Sequence, residues 1–453
     1  MKKKYVRWTL WTIASPFILF IILCILIYLP PIQNFLVDKA AVYASEATGM
    51  NISVGRISLS FPLNLVVTNV DAASPHNDTL LSVRRLQVNV QLLPLLKKQV
   101  EVDGISLQGA TVNSNDLIHG MKLNGTLGEL FISSHGVALD PETAIVNKVL
   151  LKDTDLSLCL NDTAAADTAA SDTAYWKIIL QDIDLQNVSF ALDMPLDSLS
   201  LAASLDNAIL RDGLIDLHKS AYSLQTFRIE NGRVRYDNGK PLAADSLSSG
   251  LDPSHIALTD IGVKLDSLYY GGRNMKAIIS QFVLKERSGV EIVSATGRMV
   301  SNDKVLRVPS LKLDTRDSYL ELNAAMDWNA LDFKDEGLVS ARLMADIGKP
   351  DVVRFMGSMD EKFIRQYPSE PLRIRTGIDG DLNKLKLTTL TAELPGALGL
   401  FARGELTHLT DSLLRGGDIT LEAETKDLKF VSTLAAGIEI PSGTRLEGKI
   451  TMA

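Results

Sequence analysis

The sequence predicts a mainly β protein tethered by one N-terminal membrane helix, with a few short helices among the strands. Three observations carry this expectation. Residues Thr9 to Leu29 read TLWTIASPFILFIILCILIYL, an apolar run without one charge. From Asn51 onward the apolar residues recur with a period of two. Turn-forming dipeptides punctuate that pattern, as strands joined by hairpins require.

At the helical rise, run 9–29 spans roughly 30 Å, the hydrocarbon thickness of a bilayer. Lys2, Lys3, Lys4 and Arg7 precede it in a basic tail, 1–8. The positive-inside rule leaves that tail in the cytoplasm and exports the remainder. The run outlasts the ~7–15-residue apolar core of a cleaved signal. Pro30-Pro31-Ile32-Gln33 follows, with no small-x-small cleavage site. A single-pass anchor is therefore expected, with Trp8, Trp11 and Tyr28 as interfacial aromatics.

The chain has 453 residues and a net charge of −8. An acidic exported region without a basic stripe argues against nucleic acid as a partner. Cys24 lies in the apolar run and Cys159 far from it, so no internal disulfide is expected. Hydrophobic residues make up 46% and aromatics only 6%. The apolar mass is therefore Leu, Ile, Val and Ala, a composition suited to strands rather than to the aromatic girdles of a membrane barrel.

After Pro31, segment 33–49 places Phe35, Leu36, Lys39, Val42 and Tyr43 at helical spacing, and Gly49 marks a stop. A short amphipathic helix near the membrane is expected there. Strand periodicity follows in region 50–160. Leu86, Val88, Val90 and Leu92 alternate with Gln87, Asn89 and Gln91, and Leu156, Leu158 and Leu160 behave alike. Segment 161–174, NDTAAADTAASDTA, has no large apolar residue and reads as a flexible loop. Its Asp-Thr-Ala triplets match a short O-glycosylation pattern, as do Asp78-Thr79-Leu80, Asp197-Ser198-Leu199, Asp245-Ser246-Leu247, Asp266-Ser267-Leu268 and Asp411-Ser412-Leu413.

Alternation resumes over 175–348. Val188, Phe190 and Leu192 show it, as do Ile261, Val263 and Leu265, then Leu320, Leu322, Ala324 and Met326. Within 349–367, Asp351 to Gln366 carries the apolar stripe of a helix, with Asp351 as N-cap and Pro368 as stop. A second short helix is expected over Val431 to Ala436. Further strands fill 369–453, through Leu372, Ile374 and Ile378, then Ile419, Leu421 and Ala423. Asn231-Gly232, Asp237-Asn238-Gly239, Gly271-Gly272, Asp379-Gly380 and Gly416-Gly417 read as turns. Three segments repeat loosely: ISLQGATVN at 105–113, IDLQNVSF at 183–190 and FRIENGRVRY at 227–236. Each reads as strand, turn-like dipeptide, strand, and such units grow into arrays.

No catalytic, cofactor-binding or metal-binding constellation is expected. The six histidines lack metal-ligand spacing, and no HExxH, CxxC, G-x-S-x-G, Walker A or GxGxxG pattern occurs. The alternating sheet has an apolar face that must leave water, with too few helices to cover it. Three outcomes remain open: packing on another sheet, closure into a barrel, or curling around something greasy. Leu86, Val88, Val90, Leu92, Leu320, Leu322, Leu372, Ile374 and Leu421 are the candidate lining of a lipid groove.

Residues 1–113 carry a resemblance in their order of segments. After the apolar run and short helix comes GMNISVGRISLSFP at 49–62. DTLLSVRRLQVNVQLLPLL follows at 78–96, then VEVDGISLQGATVN at 100–113. This order resembles the AsmA-like superfamily and, within it, the TamB family. Residues 369–410 and 439–450 look like later copies of its strand units, with Gly380 and Gly448 in comparable places. The resemblance implies an elongated, U-shaped, taco-like sheet with an apolar inner groove, anchored in the inner membrane and crossing the periplasm. It implies phospholipid as cargo, moved towards the outer membrane. It also implies a scaffold role in assembling outer-membrane proteins with a BamA-like barrel partner. TamB proteins are several times longer, so the resemblance implies that residues 1–453 correspond to an N-terminal portion, with the end where that partner docks outside it. An exported β-sandwich adhesin is a further alternative.

Overall fold

The computed structural model describes residues 39–452, except 40, 43–44, 47, 61–63, 75–78, 92–101, 115–119, 139–141, 162–175, 240–249, 335–336, 357–360, 434–440 and 442. The fold is mainly β, with few short helices. Two compact units divide the chain, Met1–Ala174 with Ile178–Leu196 and Tyr175–Lys177 with Asp197–Ala453.

The first unit opens on helical residues that end at Thr48. Gly49 adopts φ 70° and its N–H bonds to the carbonyl of Ser45 at 2.9 Å, closing the helix as a left-handed glycine does. Strands β1 (Asn51–Ser60), β2 (Asn64–Ala73), β3 (Thr79–Val90), β4 (Val102–Asn113), β5 (Met121–Ala138) and β6 (Thr143–Leu160) then form an antiparallel meander. Strand β7 (Lys177–Met194) lies beside β6. Asn147 donates to Gln181 at 2.9 Å and Asn187 to Asp153 at 2.9 Å, both across 34 residues. A constant offset is the mark of parallel neighbours, which a hairpin cannot join.

The second unit starts at β8 (Leu199–Asp216). Strands β9 (Ala221–Leu224) and β10 (Thr226–Asp237) both pair with β8 in one continuous register, so they form one strand interrupted at Gln225. From β11 onward each strand pairs antiparallel with the next. The order is β11 (His255–Gly271), β12 (Asn274–Glu286), β13 (Glu291–Ser301), β14 (Val305–Thr315), β15 (Tyr319–Asp327), β16 (Leu338–Ile347), β17 (Leu372–Asp381), β18 (Lys384–Leu394), β19 (Leu398–Thr407), β20 (Gly416–Thr425) and β21 (Arg445–Met452). Among the described residues three short α-helices interrupt it: α1 (Trp328–Leu331), α2 (Lys349–Phe355) and α3 (Glu361–Gln366).

Several expectations need correction. The helix expected over Asp351 to Gln366 is two pieces, and Gly348 rather than Asp351 caps the first. Pro350 sets the first turn, so the helix begins before Asp351. Over Val431 to Ala436 the described part is a 3₁₀ turn, Val431–Thr433. Asn231-Gly232, Asp379-Gly380 and Gly416-Gly417 are not turns, because they lie within β10, β17 and β20. Run 9–29, Leu92 and repeat 162–174 lie outside the described residues. Among the described residues no helix is long and apolar enough to cross a membrane.

Two clusters of buried side chains lie at strand ends in the second unit. Phe363, Tyr367, Leu394, Ala397 and Phe430 form one cluster, with Val352, Ile364, Leu372 and Leu398 packed around it. The Tyr367 and Phe430 rings meet edge to face at 5.1 Å, the arrangement aromatic quadrupoles favour. Burial pushes the Tyr367 phenol above its usual pKa. At the opposite ends of the same strands Ala330, Val339 and Leu382 bury Met326, Ile378, Leu385 and Leu409.

Helix α2 is fastened by a polar knot. The Asp351 carboxylate is 1% exposed. It accepts from Thr315 Oγ1, from Ser318 Oγ at 2.6 Å and from an Arg354 guanidinium nitrogen at 3.0 Å. Arg354 also donates to Asp317 at 2.7 Å. Burial opposes the Arg354 charge, but the Asp317 and Asp351 carboxylates outweigh it and hold the guanidinium pKa above its usual value. Asp351→Ala leaves Arg354 one carboxylate and strips two hydroxyls of their acceptor. The expected loss is about 2–3 kcal/mol, read as a lower urea midpoint. Asp351→Asn, which keeps an acceptor oxygen, loses less.

Candidate functional site

The strand registers stack apolar residues into rows running across the strands. In the first unit one row is Ile57, Val67, Leu86, Leu107, Leu130 and Leu151, one residue from each of six strands. The next row on that face is Leu59, Leu65, Val88, Ile105, Ile132 and Val149. The row between them is mixed, carrying Ser58, Gln87 and Ser106 together with Val66, Phe131 and Leu150. Directly paired residues point to the same face of a sheet, so these rows mean one oily face and one face with polar character. On the polar side Arg85 donates to Gln87 at 3.2 Å and Gln87 to Asn89 at 3.1 Å.

The pattern then breaks and recovers. Past the row Arg56, Thr68, Arg85, Gln108, Glu129 and Lys152, the next apolar row is Val54, Val70, Val83, Ala110 and Leu127, two positions away instead of one. Strict alternation would put that row on the wet face. The intervening positions are Gly55, Asn69, Arg84, Gly109, Gly128 and Asp153. Asn69, Gly109 and Asp153 have φ of 53°, 61° and 49°, and Asn187 of β7 has 51°. A left-handed residue rotates the strand out of step. Because every strand from β1 to β6 inserts its residue at one level, the registers stay matched and the apolar face continues. Gly128 is the tightest point, since a Cβ there would meet Asp153 Cβ at 2.8 Å and its carbonyl oxygen at 2.9 Å.

The second unit repeats the device. Asn231 of β10 and Asp260 of β11 have φ of 53° and 52°, and Asn231 donates to Asp206 of β8. Lys285 donates to Asp260 at 2.8 Å, and that hydrogen bond holds the Lys285 ammonium pKa above its ordinary value. Farther along, single-strand bulges do the same work. One lies between Val308 and Leu311 and another between Leu387 and Leu390.

The result is a long apolar lane. One row runs Ala208, Ile229, Val263, Phe282, Ala295, Leu313 and Leu320. It continues through Ala345, Ile374, Ala392, Leu400, Ala423 and Leu446. Thirteen strands contribute, so at the ~4.8 Å strand spacing the row is about 60 Å long. Beside it run Leu311, Leu322, Leu343, Thr376, Leu390, Ala402 and Leu421. Most larger side chains on these rows are half-buried, while several alanines are fully buried. The opposite face is charged, with Lys312–Glu321, Arg375–Asp346 and Arg373–Glu393 pairs across strands. Exposed pairs of this kind contribute little stability but mark the wet side.

The expected lining positions divide three ways. Leu86, Val88 and Val90 share the apolar face of β3, and Leu320, Leu322, Ile374 and Leu421 lie on the rows of the second unit. Leu372 instead packs on the Phe363–Tyr367–Phe430 cluster, which closes that margin. Leu92, Lys2, Lys3, Lys4 and Arg7 lie outside the described residues. The left-handed residues that keep the face continuous went unpredicted. Their signal is a pair of adjacent polar or small residues inside an alternating run, as in Thr68-Asn69 and Lys152-Asp153.

Among the described residues no cluster of three or more His, Cys, Asp or Glu could hold a metal ion. No family model matches this chain, and no curated protein matches it significantly.

The left-handed line makes a stability prediction. Asn231→Gly leaves thermal stability almost unchanged, because glycine adopts positive φ freely. Asn231→Val costs about 1–2 kcal/mol. Gly128→Val, which forces backbone apart, costs at least as much. Melting curves of the three variants check the order.

Proposed function

We propose that this chain is an envelope-biogenesis protein of the TamB-like, AsmA-like type. It is anchored in the inner membrane by run 9–29, with the bulk in the periplasm, and it conducts phospholipid along its apolar lane. The single observation that carries the reading is the unbroken apolar row across thirteen strands. Exposing a Leu or Val to water forgoes roughly 1.5–3 kcal/mol, so a lane of half-buried residues calls for an apolar guest. An acyl chain fits that demand. Half a bilayer core is ~15 Å, about three strand spacings, so the lane holds several chains end to end. Its side chains are non-directional and alternate small with large, which suits sliding rather than capture. The groove curls around its guest in this reading, with the closed clusters at the strand ends as its margins. Transport of this kind needs no catalytic group.

A scaffold for outer-membrane proteins is the second reading, and one observation favours it. Among the described residues β2 is the one strand that pairs with β1, and with the Ile52 N–H turned to the Ser45 hydroxyl the stretch from Ser53 to Ser58 is the edge offered for strand addition by a polypeptide.

Photocrosslinkers at Leu320, Leu322, Ile374 and Leu421 should trap phospholipid in cells, and those at Glu321, Arg375 and Glu422 should not. Native mass spectrometry of the extracted protein should show bound phospholipid. Equal labelling of both faces sinks the lipid reading. Polypeptide adducts at Ser53 and Ser58 of β1, without lipid adducts on the lane, select the scaffold instead.

A further inference from the structure

We propose that one end of the second unit's strands is a membrane-contacting rim, whose loop tips insert into the interfacial layer of a lipid bilayer. The turns after β8, β11, β13, β15, β17 and β19 all fall at this end, because the strands alternate in direction. They are linked into one rim. Arg273 pairs with Asp332 at 3.0 Å and lies 5.3 Å over the Trp328 ring. Trp328 Nε1 donates to the Asn302 carbonyl at 2.6 Å, and Leu409 N–H to the Leu382 carbonyl at 2.9 Å.

From this rim project large apolar side chains that touch water. Leu413 is 92% exposed, Phe333 77% and Leu414 62%. Leu331 and Leu338 are exposed beside them, and Tyr270 stacks on Tyr222 near the β11–β12 turn at 6.2 Å. Among the described residues the opposite strand ends of this unit expose Val293, Phe355, Met356 and Leu446, none of them as far as Leu413, Phe333 or Leu414. Apolar tips at full exposure forgo their burial energy unless something covers them. The chemistry favours lipid over a protein partner. Trp and Tyr are the side chains that settle at membrane–water interfaces, and Lys and Arg beside them reach to headgroups. Charges of both signs border the tips, with Arg273 and Lys334 flanking Asp332. Insertion is therefore driven by apolar burial and not by attraction to anionic lipid. The apolar run 9–29 keeps a bilayer within reach of the chain.

The test uses the full chain in nanodiscs, with Cys24→Ser and Cys159→Ser and one new cysteine carrying an environment-sensitive fluorophore. Labels go at Phe333→Cys and Leu413→Cys on the rim, and at Arg316→Cys on the opposite end. Nitroxide-acyl lipids are placed either in the nanodisc or in added vesicles of phosphatidylethanolamine and phosphatidylglycerol. The rim labels lose most of their fluorescence in at least one arm, and the Arg316→Cys label keeps its own. Raising salt to about 1 M, where the Debye length is about 3 Å, leaves that loss unchanged. Combined Phe333→Asp, Leu413→Asp and Leu414→Asp abolishes binding to the vesicles or nanodisc lipid at unchanged melting temperature. No quenching at either rim site in both arms overturns the proposal, as does equal quenching at Arg316→Cys. A glycan on Ser412 in the cell-derived chain also overturns it, since sugar beside Leu413 keeps the tip in water. Crosslinking on the lane at Leu320 and Ile374 reports separately on lipid carriage, so either reading can fail alone.

Discussion

A strand sends successive side chains to opposite faces, so any one-residue slip exchanges oil for water along everything that follows. That geometric rule governs this molecule. Six of the seven strands described in the first unit and thirteen in the second must agree on which face is oily, although bulges interrupt them. The chain meets the rule by making each irregularity either collective or self-correcting. In the first unit one level inserts a residue in every strand from β1 to β6, with left-handed backbone at Asn69, Gly109 and Asp153. In the second unit the bulges near Pro309 and Thr388 each reset a single strand.

The consequence for stability is distribution. A globular domain keeps its largest apolar residues at a centre. Here the fully buried apolar side chains are mainly alanines along the rows and two compact clusters at the strand ends. The clusters and the Asp351–Arg354 knot tie down the only helices described within the second unit. Between them the backbone ladder supplies the continuity, and the wide apolar surface is left half-buried. A sheet organised this way leaves its apolar face short of self-packing, which is the premise of the proposed lipid carriage.

Much of this was legible in the amino-acid sequence, because period-two alternation is local. Leu86 to Val90, Leu320 to Met326 and Ile419 to Ala423 announce their strands unaided. The dipeptides were misread for an instructive reason. Asn231-Gly232 and Gln108-Gly109 have the chemistry of a turn because they supply positive φ, yet the strand uses that freedom to step sideways and go on. Only the neighbouring strands decide between reversal and step, and no single segment contains them. The same holds for Leu372, whose place depends on Phe363, Tyr367 and Phe430 arriving from elsewhere in the chain. Asp351 was expected as a cap and is instead the buried acceptor of a knot made with the β14–β15 turn.

Because the rows cross every strand at right angles, the cross-section is set locally and the reach is set by strand number. Duplicating a hairpin would extend such a row by two rungs while leaving both strand ends as they are. Losing a single rung would be worse, for it would send every later loop to the other side. Growth in pairs is thus the evolutionary step this architecture tolerates, because it returns every later turn to the end it had before.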